Sequence, residues 1–349
     1  MPRNPAADTV DRLDAGALQT LVSGCFQASG MRPDMADDAA EMLVLAEMMG
    51  IHTHGLGKVE SYIARLRDGG VSGDALPVIT RPAPALLQVD GRNGLGAAVA
   101  LRATRAAMDT AREVGMAAAF CRASSHLGAL APQLLQAANA GFAAVFVTNT
   151  SPMIAPDGGT KPVFGNTPLG IAIPDETGTP VILDIALSVA ARSKVRRAAA
   201  KGAPIPDTWA TDKNGLPTTD ATEAMQGFMQ AIGGTKGANL SLCLDLLAGG
   251  LSGAAMLAEV PNANKDSAAV ANIGHLLLVI DAAKLMPPER LASRIKDARG
   301  YVRQSVAADT EPKPRLPGER ALACLAEARR EGVAIDADLR ARLEALAAA

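Results

Sequence analysis

The spacing of apolar residues changes twice along this 349-residue chain, and the change constrains the fold more than any other feature. Apolar residues recur every three or four positions over residues 34–49 and again over 56–66, which predicts two helices and an all-helical segment up to about residue 75. Helical spacing returns after about residue 287, with a break at 311–317. Because both ends carry the same pattern, we expect them to pack together as one unit.

The middle of the chain instead alternates short β-type runs with helical stretches, which is typical of an α/β or α+β fold. The pattern divides the chain into a helical N-terminal part (1–78), a mixed region (79–286) and C-terminal helices (287–349) that pack back on the first part. A loop over 204–217 is long enough to suggest a functional role. The predicted strands cover 85–89, 116–120, 143–148, 169–173, 181–183 and 276–280, and the predicted central helices cover 97–114, 133–139, 188–201 and 238–247.

Composition excludes several classes of protein. The formal net charge is -2, so no basic surface for nucleic acid is expected, and aromatic residues make up only 3%. The N-terminus lacks the apolar stretch of a signal peptide, and the most apolar segment, 240–257, is interrupted by Asp245. We therefore expect a cytoplasmic protein without membrane contact. The four cysteines are far apart and predict neither a zinc site nor a disulfide framework.

Two of the only four histidines occur in matching settings. His54 and His126 each follow a hydroxyl residue and stand next to, or two residues before, a glycine. Histidine exchanges protons near neutral pH, so the pair suggests acid/base chemistry, although each could equally be a structural histidine. Lys58 lies four residues after His54 and would share a helix face with it. A cation beside a proton donor suits a 2-keto or 2-imino acid, whose carboxylate the cation would hold.

Three segments could contact a phosphate. Residues 94–96 (Gly-Leu-Gly) resemble a dinucleotide fingerprint but lie too far from the preceding strand, so we interpret them as a false match. Lys236 in a glycine-rich turn (233–237) precedes a helix and could bind an anion, or the segment could be a plain turn. Asp184 ends a short strand and could contact a ligand or simply begin a helix.

Taken in order, these segments resemble the non-Rossmann malate/L-lactate dehydrogenase family, which includes ureidoglycolate and sulfolactate dehydrogenases, diketogulonate reductase and piperideine-2-carboxylate reductase. The similarity covers nearly the whole chain. The segments that carry it are 50–55 (Gly-Ile-His-Thr-His-Gly) with Tyr62, 125–126 (Ser-His), 148–150 (Thr-Asn-Thr), 164–168 (Phe-Gly-Asn-Thr-Pro), 184–188 (Asp-Ile-Ala-Leu-Ser), 209–212 (Trp-Ala-Thr-Asp), 215–220 (Gly-Leu-Pro-Thr-Thr-Asp), 233–237 (Gly-Gly-Thr-Lys-Gly) and 316–319 (Leu-Pro-Gly-Glu).

The resemblance implies a homodimer of α+β class, with a helical domain from both chain ends and a non-Rossmann nicotinamide-binding and dimerisation region on a mainly antiparallel or mixed sheet. It also implies NAD or NADP as cofactor, with a slight preference for NAD, and no metal. The implied catalytic residues are His54 and His126, and the implied substrate-binding residues are Thr53, Lys58, Asn149 and Thr167. The implied cofactor-binding residues are Thr150, Asp184, Ile185, Ala186, Ser188, Lys236, Gly318, Glu319 and Arg320.

Three positions depart from the family pattern: Lys58 replaces the usual Arg, Thr150 replaces a Ser, and Asn166-Thr167 reverses the usual Thr-Asn order. An ammonium holds a carboxylate differently from a bidentate guanidinium, so the substrate acid could differ from those of relatives.

The resulting hypothesis is an NAD(P)-dependent oxidoreductase that moves hydride to or from C2 of a small 2-hydroxy or 2-keto acid of malate, lactate, sulfolactate or ureidoglycolate type. A reductase of cyclic or acyclic 2-imino acids is the first alternative. The others are a metal-dependent hydrolase that uses His52, His54 and His126, and a binding protein on the same scaffold. Arg192 and Lys194 could contact the 2′-phosphate of NADP or simply form a basic helix face.

Overall fold

The computed structural model describes residues 10–305 and 314–348. The predicted absence of a signal peptide and the first three residues of the predicted break at 311–317 concern residues outside these ranges. Nine strands occur in the described residues: β1 Val10–Leu13, β2 Val78–Ala83, β3 Leu86–Asp90, β4 Met116–Ser124, β5 Phe142–Thr148, β6 Leu169–Ile173, β7 Val181–Ile185, β8 Ile273–Asp281 and β9 Val333–Asp336.

Eleven α-helices occur in the same part of the chain: α1 Ala15–Ala28, α2 Pro33–Met48, α3 Val59–Arg67, α4 Gly96–Val114, α5 Ala131–Asn139, α6 Arg192–Ala200, α7 Ala221–Gln226, α8 Thr235–Asp245, α9 Pro288–Gln304, α10 Glu319–Glu331 and α11 Ala337–Ala347. Short 3-10 turns cover His52–His54, Leu56–Lys58, Leu257–Glu259 and Ala282–Lys284, and a π-turn, Leu246–Gly250, follows α8. None of the described helices is both long and apolar enough to cross a lipid bilayer.

Seven strands form one mixed sheet in the order β2-β3-β4-β8-β5-β6-β7. Only β3 and β4 run parallel, and every other neighbouring pair is antiparallel. The predicted α+β class with a mixed sheet is therefore confirmed. The arrangement is not a doubly wound parallel sheet, which explains why the glycine fingerprint fails.

The main core lies between the sheet and the helices α2, α4 and α5, and it continues into the chain ends, where α1 packs on α11 and α2 packs on α10. A separate apolar cluster lies under α6, α7 and α8 and includes Phe164, Val195, Ile205 and Met229. The molecule thus has a large core under the sheet and a smaller one around the segments that follow β7.

Several sequence expectations need correction. The first 75 residues are not all helical, because β1 pairs with β9 and joins the two chain ends as a two-stranded sheet. The helix predicted over 188–201 begins only at Arg192, since Ser188 pairs with Ala231 in an isolated bridge. The edge strand β2 was missed because its side chains are nearly all exposed and show no alternation. The limits of the three parts of the chain remain a prediction.

Candidate active site

His54 and His126 come together in the folded chain. Their rings stack with centroids 5.6 Å apart and an interplanar angle of 29°. His54 ends the 3-10 turn His52–His54, and His126 lies in the loop between β4 and α5. The sequence pattern suggested only that both could exchange protons, whereas the fold places them side by side.

Glu47 at the end of α2 shapes the segment that carries His54. One carboxylate oxygen bonds Nδ1 of His52, and the other accepts the backbone N–H of Leu56 at 2.9 Å. Gly55 passes so close to Glu47 that a Cβ there would overlap the carboxylate. The segment therefore runs as two 3-10 turns before α3 begins, rather than as one helix from His54.

The loop that carries His126 is held at both ends. The hydroxyl of Ser125 accepts the N–H of Gly96 at 3.0 Å, and a Cβ on Gly96 would overlap the backbone of Ser125. Asp184 accepts the N–H groups of Leu130 and Ala131 at 2.9 Å each and so caps α5. Gly96 thus serves the packing of α4 on this loop, whereas Gly94 lies against Gly91 and Ala75.

Tyr62 on α3 forms a hydrogen bond with His126. Its hydroxyl lies 2.6 Å from Nδ1 of His126, and burial raises the pKa of Tyr62, which therefore keeps its proton. We assign the phenol as the donor to Nδ1, and in this assignment a neutral His126 carries its own hydrogen on Nε2. Burial holds the pKa of His126 well below its usual value, and repulsion from a protonated His54 and from the charges of Lys58 and Arg65 lowers it further.

His54 has a different environment. Its Nδ1 lies 2.9 Å from the hydroxyl of Thr53, and burial together with the charge of Lys58 lowers its pKa to about 4. Burial also lowers the pKa of Lys58, and the positive charge of Arg196 on α6 adds to this effect. Both rings are therefore neutral at pH 7, beside an ammonium that forms no ion pair with any described residue.

The predicted substrate-binding residues Asn149 and Thr167 are both fully buried. The amide of Asn149 accepts the N–H of Gly274 at 2.9 Å and donates to the carbonyl of Ala255 at 2.7 Å. Thr167 has φ +25°, and its buried hydroxyl has no hydrogen-bond partner among the described residues. Their contact with a substrate stays a prediction.

Hydrogen bonds connect the predicted cofactor segments to one another. Thr150 bonds Asn166 through its hydroxyl at 2.9 Å, and the carbonyl of Asn166 accepts the N–H of Leu187 at 2.7 Å. The N–H of Ile232 then donates to Leu187 at 2.9 Å, directly before the glycine turn, by which we mean residues 233–236. Hydrogen bonds therefore connect Thr150, Leu187 of the 184–188 segment and the residue that precedes the glycine turn.

The glycine turn fits an anionic group. Gly233 and Gly234 have φ +62° and +61°, and no atom lies within 4 Å of a Cβ built on either. The turn opens the N-terminus of α8, whose first N–H groups have no helical partner, and Lys236 adds a positive charge there. A cofactor phosphate would find both donors and charge at this place.

The third predicted cofactor segment, 318–320, lies beside β7. Ile182 of this strand donates its N–H to Pro317 at 3.1 Å, which brings Gly318 against the strand that ends near Asp184. Glu319 pairs with Arg299 at 3.1 Å, while Arg320 is exposed. Ile185 and Ala186 continue β7 at the same edge. Their role in cofactor binding stays a prediction.

Three titratable residues near the site are not identified by any sequence motif: Glu47, Arg196 and His275. His275 is one of the four histidines, yet it lies in a strand and has no glycine–hydroxyl setting like that of His126, so its buried position could not be deduced. Tyr62 was noted only as part of a motif. Within 10–305 and 314–348, no three residues of His, Cys, Asp or Glu type are grouped as a metal site requires.

Comparisons with known proteins agree with this geometry. The family model described as malate/L-lactate dehydrogenase matches residues 13–344. The Delta(1)-pyrroline-2-carboxylate reductase of Ancylobacter novellus is 32% identical over 335 residues, which cover 96% of this chain and 97% of the relative. The (2R)-3-sulfolactate dehydrogenase (NADP(+)) of Chromohalobacter salexigens is 34% identical over 265 residues, 76% of this chain and 79% of the relative.

The crystal structure of delta1-piperideine-2-carboxylate reductase from Pseudomonas syringae pvar. tomato superimposes with a TM-score of 0.86 at 30% identity, covering 96% of this chain and 99% of that one. The resemblance inferred from the motifs is thereby confirmed, as is the assignment to NAD- or NADP-dependent oxidoreductases. The stacked histidines, the non-Rossmann sheet and these similarities lead to one conclusion: the chain belongs to the malate/L-lactate dehydrogenase family.

Proposed function

We propose that this protein transfers hydride between the nicotinamide of NAD(P) and C2 of a small 2-hydroxy acid or 2-keto acid. The observation that carries the proposal is the stack of His54 on His126 beside the ammonium of Lys58. Bound nicotinamide supplies or accepts the hydride. Lys58 holds the substrate carboxylate, and the imidazoles handle the proton at the C2 oxygen.

The two imidazoles take different roles in this proposal. His126 presents a fixed Nε2–H, because Tyr62 occupies Nδ1 of the ring, and this group donates a hydrogen bond to the C2 oxygen. His54 moves the proton. Where the environments of two titratable groups push their pKa values apart, the two groups commonly take different roles in acid/base catalysis.

The lowered pKa of His54 favours alcohol oxidation in the free enzyme. With a pKa of about 4, the ring is neutral at pH 7 and accepts the proton of a 2-hydroxy acid. For reduction, the ring must first be protonated. A bound carboxylate neutralises Lys58 and thereby raises the pKa of His54, so substrate binding itself prepares the proton donor.

A 2-imino acid is the alternative substrate. The Delta(1)-pyrroline-2-carboxylate reductase cited above acts on this class and aligns over nearly the whole chain. The same proton relay would serve a C=N group, since nitrogen replaces oxygen at the atom that gains charge.

The cofactor preference and the oligomeric state belong to the same proposal. We propose NAD over NADP, because Arg192 donates to the carbonyl of Met225 at 2.8 Å and Lys194 lies 5.9 Å from the ring centroid of Trp209. We also propose a cytoplasmic homodimer. Its support is an exposed apolar face on α8 and the following turn, formed by Leu240, Leu246, Leu247 and Leu251.

A coupled screen tests the function. Purified protein is incubated with malate, lactate, sulfolactate, ureidoglycolate and the two cyclic imino acids, each with both coenzymes, and nicotinamide absorbance is followed. We expect turnover with at least one acid and a higher kcat/KM with NAD(H). Coenzyme binding without turnover of any acid would contradict the proposal and favour a binding protein.

A further inference from the structure

A third histidine lies close enough to His126 to influence its pKa. His275 on β8 is fully buried, and burial lowers its pKa to about 3, so the ring stays neutral. Its Nδ1 lies 2.8 Å from the hydroxyl of Thr148 at the end of β5, and its Nε2 lies 2.8 Å from the hydroxyl of Ser124 at the end of β4. One ring thus bridges the ends of the two strands that flank β8.

The hydrogen-bond directions follow from the surroundings. The hydroxyl of Thr148 lies 3.3 Å from the carbonyls of Asn149 and Gly274, which can only accept, and we assign the threonine hydrogen to one of them. Thr148 therefore accepts from Nδ1–H of His275, and Ser124 donates to Nε2. The ring of Phe146 packs edge-on against His275 at a centroid distance of 6.2 Å and holds its orientation.

The end of β4 is strained just before His126. Ala123 has φ +47°, and the pairing with β8 shifts by one residue between Cys121 and Ser124. Such a bulge persists only when its neighbours hold it, and it redirects the residues that follow. The amide of Asn272 holds the N–H of Ala123 at 2.8 Å, and His275 holds Ser124.

The second partner of His275, Thr148, lies next to the predicted substrate- and cofactor-binding residues. Thr148 directly precedes the buried Asn149 and then Thr150, and Thr150 begins the chain of hydrogen bonds that reaches the glycine turn. Ser124 directly precedes the Ser125-His126 loop. The distance between His126 and the predicted cofactor residue Thr150 therefore depends on the strand ends that His275 connects.

We propose that His275 is a positioning residue that fixes the His126 loop relative to the 148–150 segment, without itself touching the substrate. The inference rests on the proposed function. It predicts that breaking either hydrogen bond of His275 misplaces His126 while the coenzyme still binds. A displacement of about 1 Å at a reacting group costs on the order of 10²-fold in rate, so a small loosening is measurable.

The test uses Ser124→Ala and Thr148→Val, each of which removes one partner of His275, together with the double variant and His275→Leu. We expect kcat to fall roughly 5- to 50-fold in each single variant, with KM changed by less than about threefold. The double variant should resemble His275→Leu rather than the product of the two single effects, because both bonds serve one ring.

Two matched controls separate positioning from simple loss of a buried hydroxyl. Ser23→Ala removes a buried serine hydroxyl on α1, and Thr104→Val removes a buried threonine hydroxyl on α4. Both should keep kcat within about twofold of the original protein. If His275→Leu does not fold, Ser124→Ala and Thr148→Val still test the positioning role of His275.

Nitrogen NMR of the histidine rings gives a readout that needs no substrate, because the chain contains only four histidines. We expect His275 as the Nδ1–H tautomer and His126 as the Nε2–H tautomer, and we expect the His126 signals to shift or split in Ser124→Ala. Unchanged His126 signals and unchanged kcat in the folded variant would overturn the inference. Shifted signals in a protein that turns over no acid would instead overturn the proposed function alone.

Discussion

The histidine site, formed by His54, Lys58, Tyr62 and His126, differs from the glycine turn in how its residues are held. Tyr62 is almost fully buried, and the loops around both imidazoles are fixed by Glu47 and Ser125. The glycine turn has open space around it, and it is followed by a helix whose outer face is exposed. Burial strengthens the interactions that shift a pKa, whereas an exposed turn offers backbone donors to an anion. We therefore expect substitutions in the first region to change chemistry and substitutions in the second to change binding.

The strongest test of this difference is the double substitution His54→Ala with His126→Ala. We expect turnover to fall by at least about 10³-fold, since each proton-transfer group contributes on the order of 10²- to 10⁴-fold. Coenzyme affinity, measured by quenching of NAD(P)H fluorescence, should stay near normal. His52→Ala is the comparison variant: its ring is 71% exposed, and its removal takes away a contact with Glu47 but no proton-transfer group, so the rate should fall far less. Full activity in the double variant would end the mechanism.

The substitution Lys58→Met tests the histidine site through KM and through the pH dependence of kcat/KM. The lost cation should raise KM for a carboxylate substrate roughly 10- to 100-fold, because hydrogen bonds to charged groups contribute about 1.5–3 kcal/mol. The pKa of His54 should also rise, since Lys58 helps to lower it.

For oxidation, His54 acts as a base, so activity is lost as the pH falls through its pKa. In Lys58→Met the acid limb of the kcat/KM profile should therefore move to higher pH. Lys58→Arg keeps the charge and should leave the limb near its original position. If the acid limb of the profile stays in place in Lys58→Met, Lys58 does not influence the proton transfer by His54.

Tyr62→Phe removes one hydrogen bond and keeps the ring. We expect kcat to fall about tenfold, because the net value of a buried hydrogen bond is about 1 kcal/mol and the Nδ1 of His126 loses its donor. Tyr301→Phe is the matched control, since Tyr301 is 75% exposed. Equal rates in both variants would show that the tautomer of His126 does not matter.

The smallest effect is expected at the glycine turn. Lys236→Ala should weaken coenzyme binding about three- to fivefold, since an exposed ion pair between this ammonium and a cofactor phosphate contributes about 0.2–1 kcal/mol. The rate kcat at saturating coenzyme should stay within about twofold. Lys213→Ala, in the loop before α7, should leave both quantities unchanged. A large loss of kcat in Lys236→Ala would contradict the division between chemistry and binding.

The elements were predictable where one face of a helix or strand is buried. The helix α4 and the strands β5, β6 and β8 appear within a few residues of their expected limits. In these elements the spacing of apolar residues in the sequence matches the face that is buried in the structure. Prediction failed at β1, β2 and β9. These are short or exposed strands whose formation depends on a partner far away in the chain, and local periodicity carries no information about that partner.

The sequence by itself determined the family, the mixed fold and the two candidate histidines, because ordered motifs and apolar periods are local properties of the chain. Only the tertiary structure decided that Tyr62 contacts Nδ1 of His126, that Asp184 caps α5, and that His275 contacts Ser124. Each of these contacts joins residues distant in sequence, and a hydrogen bond depends on distance and direction in space. The same holds for the lowered pKa of His54, which comes from burial and from the nearby Lys58 charge.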